Sequence, residues 1–254
     1  MELSPKERRS KIMESLATEG RVDIIRLSEV LNVTPMTIRR DFDVLEKQNK
    51  LIRTHGGAVP SQALIHEKTF ELKSNISVRE KKMIAKRAVS FVTEGMTVLI
   101  DSGTTTLEIA RLLKNHEHLT VITNDIKIAA ELMGSKLEVI ILGGRLQTET
   151  GTLYGSLTEN ILKSIHVDLF FLGANAIHSS FGITTPTIDK SSLKRTMIRT
   201  ATETILVADS TKFNQKALSK VCDLEDVSTI ITDGQLSEEL MEKYGELVEI
   251  IIAK

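Results

Sequence analysis

Asn32-Val33-Thr34-Pro35-Met36-Thr37-Ile38-Arg39-Arg40-Asp41-Phe42-Asp43-Val44-Leu45 decides how the first sixty residues fold. Thr34 makes a good helix N-cap because its hydroxyl accepts from an N–H of the first turn. Pro35 suits the first helical position, where no amide hydrogen is needed. Ile38, Phe42 and Leu45 then fall at i, i+4 and i+7 of a helix over 35–48, forming one apolar stripe. With that stripe turned inward, Met36, Thr37, Arg39, Arg40 and Asp43 lie nearer the outer face.

Upstream, residues 5–18 read as a helix opened by Ser4 and Pro5, buried through Ile12 and Leu16 and ended by Gly20. Leu27, Val30 and Leu31 mark a short second helix closed by Asn32. Downstream, residues 51–59 read as two short strands joined by the turn Gly56-Gly57. Three helices and a strand pair within this length match a winged helix-turn-helix that binds double-stranded DNA. Thr34, Met36 and Thr37 occupy the helix end that enters the major groove in this motif. Arg39 and Arg40 can reach guanine edges or phosphates, and Arg53 and His55 can carry the wing onto the flanking backbone. The plainer alternative is a solvated helix face, with Arg39 and Arg40 paired to Asp41, Asp43 and Glu46. The joint presence of cap, proline, preceding helix and wing favours DNA. Single-stranded targets usually need aromatic stacking, and the chain has no Trp and two Tyr.

Bulk charge decides little. Residues 1–60 hold eleven Lys/Arg and nine Asp/Glu, a balance of +2, so the remainder is −3 when the whole is −1. At 254 residues, with 41% hydrophobic and 26% charged, the chain suits one small and one larger globular domain. The charged start leaves no signal-peptide core, and no apolar run reaches the roughly 18 residues of a membrane span. No membrane association and a cytoplasmic location are therefore expected. The single Cys222 excludes an internal disulfide or a cysteine-cluster zinc site, and the six His show no ligand spacing, so no metal is expected.

The expected domains are 1–60, a winged helix-turn-helix; 61–82, a partly ordered polar linker; and 83–254, an α/β domain. Apolar runs recur at 97–101, 119–124, 137–144, 167–174, 204–209, 228–233 and 247–253, with helical patterns such as 105–114, 125–133 and 192–202 between most of them. Nearly continuous apolar strands alternating with helices predict a doubly wound, mostly parallel sheet covered on both faces.

Asp101-Ser102-Gly103-Thr104-Thr105-Thr106 lies where a strand ends and a helix begins. Small residues there let an anion approach the backbone, and hydroxyls and unpaired helix N–H groups can donate to phosphate oxygens. The P-loop spacing is absent, which argues against a nucleoside triphosphate. Thr123-Asn124, Gly143-Gly144, Gly173 and Asp209 also end predicted parallel strands, and such ends share the sheet edge where open α/β folds bind ligands. Lys212, and as a second candidate Lys194, can supply a cation. Asp101 and Asp209 suit sugar hydroxyls or backbone better than phosphate.

The run 33–42, then Leu45-Glu46, Thr54-His55-Gly56-Gly57-Ala58, Asp101 to Thr106, Ile122-Thr123-Asn124, Leu142-Gly143-Gly144 and Asp209-Ser210-Thr211-Lys212-Phe213 resemble the DeoR family of transcriptional repressors. The resemblance implies a homo-oligomeric repressor of sugar-catabolism genes, released from its operator by a sugar phosphate. It also implies a C-terminal domain related in fold to ribose-5-phosphate isomerases. Those enzymes carry an Asp-Gly-Ala-Asp-Glu run, because moving a proton between sugar carbons needs a carboxylate base. The corresponding residues here are Leu172-Gly173-Ala174-Asn175-Ala176, and the following loop Ser179-Ser180-Phe181-Gly182 lacks a lysine. No catalytic residues and no cofactor are expected, with a phosphorylated sugar as effector. The competing reading is a sugar-phosphate isomerase carrying a DNA-binding domain. At the position where many family members have glutamate, this chain has Lys190, with Asp189 beside it.

Overall fold

A computed structural model of the chain describes residues 3–48, 50–54, 56–60 and 69–254. Two compact units result, Met1–Glu67 and Lys68–Lys254.

The first unit opens with helix α1 (Pro5–Glu19), started by a capping box in which Ser4 and Glu7 satisfy each other's backbone and stopped by Gly20 at φ 68°. Strand β1 (Val22–Asp23) leads into α2 (Ile24–Val30), capped by the Asp23 carboxylate, and then α3 (Pro35–Lys47), capped by Thr34. Strands β2 (Leu51–Thr54) and β3 (Gly57–Pro60) form the wing, and β3 also pairs with β1. Ile12, Leu16, Leu27, Ile38, Phe42 and Leu45 are buried together, as the helical spacing predicts. Of the three residues that mark the second helix, Leu27 is buried, Leu31 packs partly buried against the same core and Val30 is exposed. Gly57 is needed where β3 crosses β1, since a Cβ would lie 2.1 Å from the Val22 carbonyl oxygen.

Helices α4 (Phe70–Ser74) and α5 (Val78–Val89) open the second unit. Both begin in the stretch 61–82 read as linker, so that linker is too long by at least the residues from Phe70 onward. In α5 the buried positions are Lys81, Ile84, Ala85 and Ala88. A lysine in the first slot of the apolar stripe disguises the helix. Its amine is satisfied because it donates to the Ile76 carbonyl at 2.6 Å and to that of Lys73.

The chain then runs β4 (Thr97–Ile100), α6 (Thr104–Leu113), β5 (Thr120–Thr123), α7 (Ile126–Glu131), β6 (Glu138–Ile141), the hairpin β7 (Arg145–Gln147) and β8 (Thr152–Tyr154), and α8 (Ser156–Leu162). It continues through β9 (Val167–Gly173), β10 (Ala176–His178), β11 (Gly182–Thr185), α9 (Ile188–Thr200), β12 (Ala201–Val207), β13 (Ser219–Cys222), β14 (Thr229–Asp233), α10 (Glu238–Gly245) and β15 (Glu249–Ala253). Seven strands make one sheet in the order β15-β14-β12-β9-β4-β5-β6, and every pairing in it is parallel.

Both faces are covered, which is why the strands read as unbroken apolar runs. Alternate residues of β9 enter different cores, Phe170 and Leu172 on one face and Leu169 and Phe171 on the other. Strand order runs outward from β4 through β5 and β6, then from β9 through β12, β14 and β15. The reversal lies between β4 and β9, the position at which open α/β sheets usually bind ligands. The short antiparallel pieces, β7–β8 and β10–β11–β13, lie outside the large sheet.

Candidate functional site

On the first unit, the outward side of α3 carries the candidate DNA contacts. Thr34 accepts from the Thr37 amide at 3.2 Å, and the two hydroxyls lie 3.0 Å apart. Met36 is exposed, and so are Arg39 and Arg40. The acids next to these arginines in sequence are committed elsewhere. Asp41 is buried and bonds Arg8 at 2.5 Å and Arg9 at 3.4 Å, tying α3 to α1. Asp43 pairs with Arg53, and Glu46 accepts from the Arg53 amide at 3.0 Å. Among the described residues, Arg39 and Arg40 have no ion-pair or hydrogen-bonding partner, so the solvated-pair alternative loses its acids. Arg53, read as a backbone contact, is engaged in fastening the wing to α3. His55 lies outside the described residues.

The second unit gathers its polar residues at the C-terminal edge of the parallel sheet. Asp101 follows β4 and is buried; its Oδ2 accepts from the Gly173 amide at 3.0 Å and from Lys194. Lys194, on α9, also donates to the Gly173 carbonyl at 2.8 Å. One ion pair thus joins β4, β9 and α9 across the strand-order reversal. Lys194 is the second-choice cation of the sequence reading, and here its charge is matched by Asp101.

Beside this pair, the Ser102 amide donates to Asn124 Oδ1 at 3.1 Å, and Asn124 Nδ2 donates to the Leu153 carbonyl at 3.2 Å. The Ser102 hydroxyl bonds Asp125 at 2.7 Å and Thr152 at 2.6 Å, and Thr152 lies 2.9 Å from the Thr150 hydroxyl. Thr123 donates to the Ile100 carbonyl at 2.9 Å and is fully buried. Thr106 is buried too and donates to the Gly103 carbonyl at 3.0 Å. These groups shape the site. The N-cap of α6, Gly103, brings no side-chain acceptor, so the first turn, with the half-buried Thr104 and Thr105, has no side-chain cap. That helix end is suited to an anion.

Gly144 has a packing explanation. Gly144 takes φ +149°, and a Cβ there would lie 2.6 Å from the Tyr154 carbonyl oxygen. Thr158 of α8 donates to the Gly143 carbonyl at 2.5 Å. No hydrogen bond among the described residues joins this turn to the Asp101 cluster.

Asp209 and Lys212 form a second polar group after β12. Asp209 is buried, its Oδ1 accepts from the Thr211 amide at 3.2 Å, and Lys212 Nζ lies 4.0 Å from Oδ2. Oδ2 has no hydrogen-bond partner among the described residues, an open acceptor in a buried place. Lys81 belongs with them. Burial lowers its amine to about 8, against the opposing pull of the Asp209 carboxylate and reinforced by Lys212. Sequence reading missed Lys81 because it was assigned to a linker, and missed Asp125, the carboxylate that caps α7 and holds Ser102. The run Thr123-Asn124-Asp125 at a strand end was the available signal.

The Lys81 value has a measurable consequence. An amine titrating near 8 when folded and at 10.5 when unfolded costs stability while both states are protonated. That cost is full below about pH 8 and vanishes as pH rises toward 10.5. The urea midpoint of the intact chain, relative to Lys81→Met, should therefore rise between pH 7.5 and 9.5. A gap that stays constant would show that Lys81 titrates as an ordinary lysine.

Residues 8–62 match the DeoR-like helix-turn-helix domain, and residues 76–234 match the DeoR C terminal sensor domain. The chain belongs to the DeoR family. As a DeoR-family transcriptional regulator it is 36% identical over 247 residues to the HTH-type transcriptional regulator GlpR of Haloferax volcanii, covering 96% of this chain and 97% of that one. It is 34% identical over 256 residues to the lactose phosphotransferase system repressor of Lactococcus lactis subsp. lactis, covering 99% and 100%. These relatives are named as regulators, which agrees with the missing isomerase carboxylates. Among solved structures, the regulator is similar to ribose 5-phosphate isomerase A of Methanocaldococcus jannaschii, at 18% identity over 52% of this chain and 53% of that one, with a TM-score of 0.39. No chemistry follows from so partial a likeness. Among the described residues, no helix is long and apolar enough to cross a membrane.

Proposed function

We propose that this DeoR-family regulator is a homo-oligomeric, cytoplasmic repressor of a sugar-catabolism operon, and that a phosphorylated sugar releases it from its operator. The DNA half of the reading rests on one observation: Arg39 and Arg40 stand exposed and unpartnered on α3 while the neighbouring acids are paired to other arginines. An uncompensated cation on the outer face of a capped helix is suited to guanine edges and phosphates.

The effector half rests on the strand-order reversal between β4 and β9. The α6 N-terminus, with Gly103, Thr104 and Thr105, supplies donors for phosphate oxygens. Lys194 is buried and bonded to Asp101, whereas Lys212 is part-exposed and meets Asp209 only at 4.0 Å, so Lys212 is the cation better able to turn to a ligand. The open Asp209 Oδ2 supplies an acceptor for a sugar hydroxyl. No other cofactor is needed for this role. Release requires that the ligand bind the DNA-free arrangement more tightly, by about 1–3 kcal/mol of coupling.

Thr105→Glu tests the effector site. A carboxylate in the first turn suits the helix dipole, so folding and operator affinity should be unchanged. It should repel phosphate, leaving repression insensitive to inducer. A thermal-shift screen of pentose and hexose phosphates on the intact chain identifies the ligand, since binding to the folded state raises Tm. If the sugar phosphate that raises Tm of the parent chain does the same for Thr105→Glu, the anion seat lies elsewhere.

A further inference from the structure

The two edges of the seven-stranded sheet differ in cover. At the β15 edge, residues are mostly half-buried or buried. At the β6 edge, Ile140 and Ile141 are 40% and 50% exposed although they point to opposite faces of the strand. Met133, following α7, is 74% exposed, and Leu157 of α8, which reaches toward Gly143 at the end of β6, is 58% exposed. Large apolar side chains thus gather around a strand whose outer backbone groups pair with no other strand among the described residues. Such an edge invites another strand.

From this geometry we infer that β6 is a self-association surface, pairing antiparallel with β6 of a second copy of this chain. The inference deepens the homo-oligomer reading and rests on it. Three features select a second copy as occupant. First, the register of the backbone is self-complementary. The amides of Glu138 and Leu142 donate inward, to Leu119 at 3.1 Å and Thr123 at 2.8 Å. Val139 and Ile141 therefore direct their N–H and C=O outward. A two-fold axis at Ile140 sets Val139 of each copy opposite Ile141 of the other, closing roughly four backbone hydrogen bonds.

Second, that register sets Glu138 opposite Leu142 rather than opposite its own copy, so no like charges meet. Residues 139–142 are Val-Ile-Ile-Leu, without charge to attract a nucleic acid. Third, the pairing closes. Joining β6 to the β15 edge of another copy would leave a free edge at each end and grow a filament, whereas the two-fold pair buries both β6 edges and stops.

The pairing is tested with single cysteines in the intact chain. In a non-hydrogen-bonded antiparallel pair the Cα atoms lie about 4.5 Å apart, within the range of about 4.4–6.8 Å that a disulfide spans. Ile140→Cys should therefore cross-link to a dimer when diamide oxidises the two thiols to one disulfide. The parent chain should not, because its single Cys222 is buried and its thiol is pushed up to about 12. Glu249→Cys on the β15 edge should stay uncross-linked.

Independently, Ile141→Lys should lower the mass in sedimentation equilibrium about twofold with an unchanged circular dichroism spectrum, because the side chain is half outside already. A cross-link at Glu249→Cys and none at Ile140→Cys overturns the inference. So does an oligomer whose mass ignores Ile141→Lys, a result that leaves the homo-oligomer reading standing. A parent chain that is monomeric at every concentration overturns both.

Discussion

Arg39→Ala or Arg40→Ala should weaken binding to an operator duplex, selected from random sequence by the intact chain, by about 1–3 kcal/mol each, roughly fivefold to 150-fold. Both side chains are exposed and partnerless among the described residues, so their removal takes nothing from the core and the unfolding midpoint should not move. Fluorescence anisotropy at several salt concentrations separates two modes of contact. An arginine on a phosphate lowers affinity for every duplex alike and reduces the salt slope by about one, whereas an arginine on a guanine edge relaxes the preference at one base pair. Unchanged affinity in both variants would remove α3 from the interface. Asp41→Ala provides a contrast. It strips Arg8 and Arg9 of their shared carboxylate and should lower stability, because that buried acid ties α3 to α1.

Asp101→Ala has the largest expected effect on the second unit. It leaves the Lys194 ammonium buried beside a strand end, with the Gly173 carbonyl as its remaining acceptor among the described residues. Breaking a buried pair by removing one partner costs about 3–5 kcal/mol, because the remaining charge loses its compensation without regaining water. Urea unfolding of the intact chain measures it. The double variant Asp101→Asn with Lys194→Met removes both charges and should recover much of the loss, since the pair's own net worth is small. If the double variant is as unstable as the two single losses added together, the two residues act separately and the clamp between β4, β9 and α9 does not exist.

Local pattern was enough wherever one element decides its own fate. Thr34-Pro35 starts α3, the spacing of Ile38, Phe42 and Leu45 buries its inner side, and the apolar runs place all seven parallel strands within a few residues of their observed ends. A sheet buried on both faces writes itself into consecutive residues, and a cap acts on amides two or three positions away. The short antiparallel strands β7, β8, β10, β11 and β13 are too brief for such a pattern to show. Helix α5 was hidden because the first slot of its apolar stripe is Lys81, whose amine is satisfied by carbonyls of the preceding turn.

Tertiary structure alone decided which charges are spent. Arg39 and Arg40 look the same in sequence whether or not Asp41 and Asp43 pair with them, and only the fold gives those acids to Arg8, Arg9 and Arg53. Lys194 and Asp101 stand 93 positions apart and meet because the strand order reverses between β4 and β9. Gly144 is required by the close approach of the β8 backbone and of Thr158 on α8. Charge pairing is decided by distance in space, and hydrophobic periodicity reports distance only along the chain.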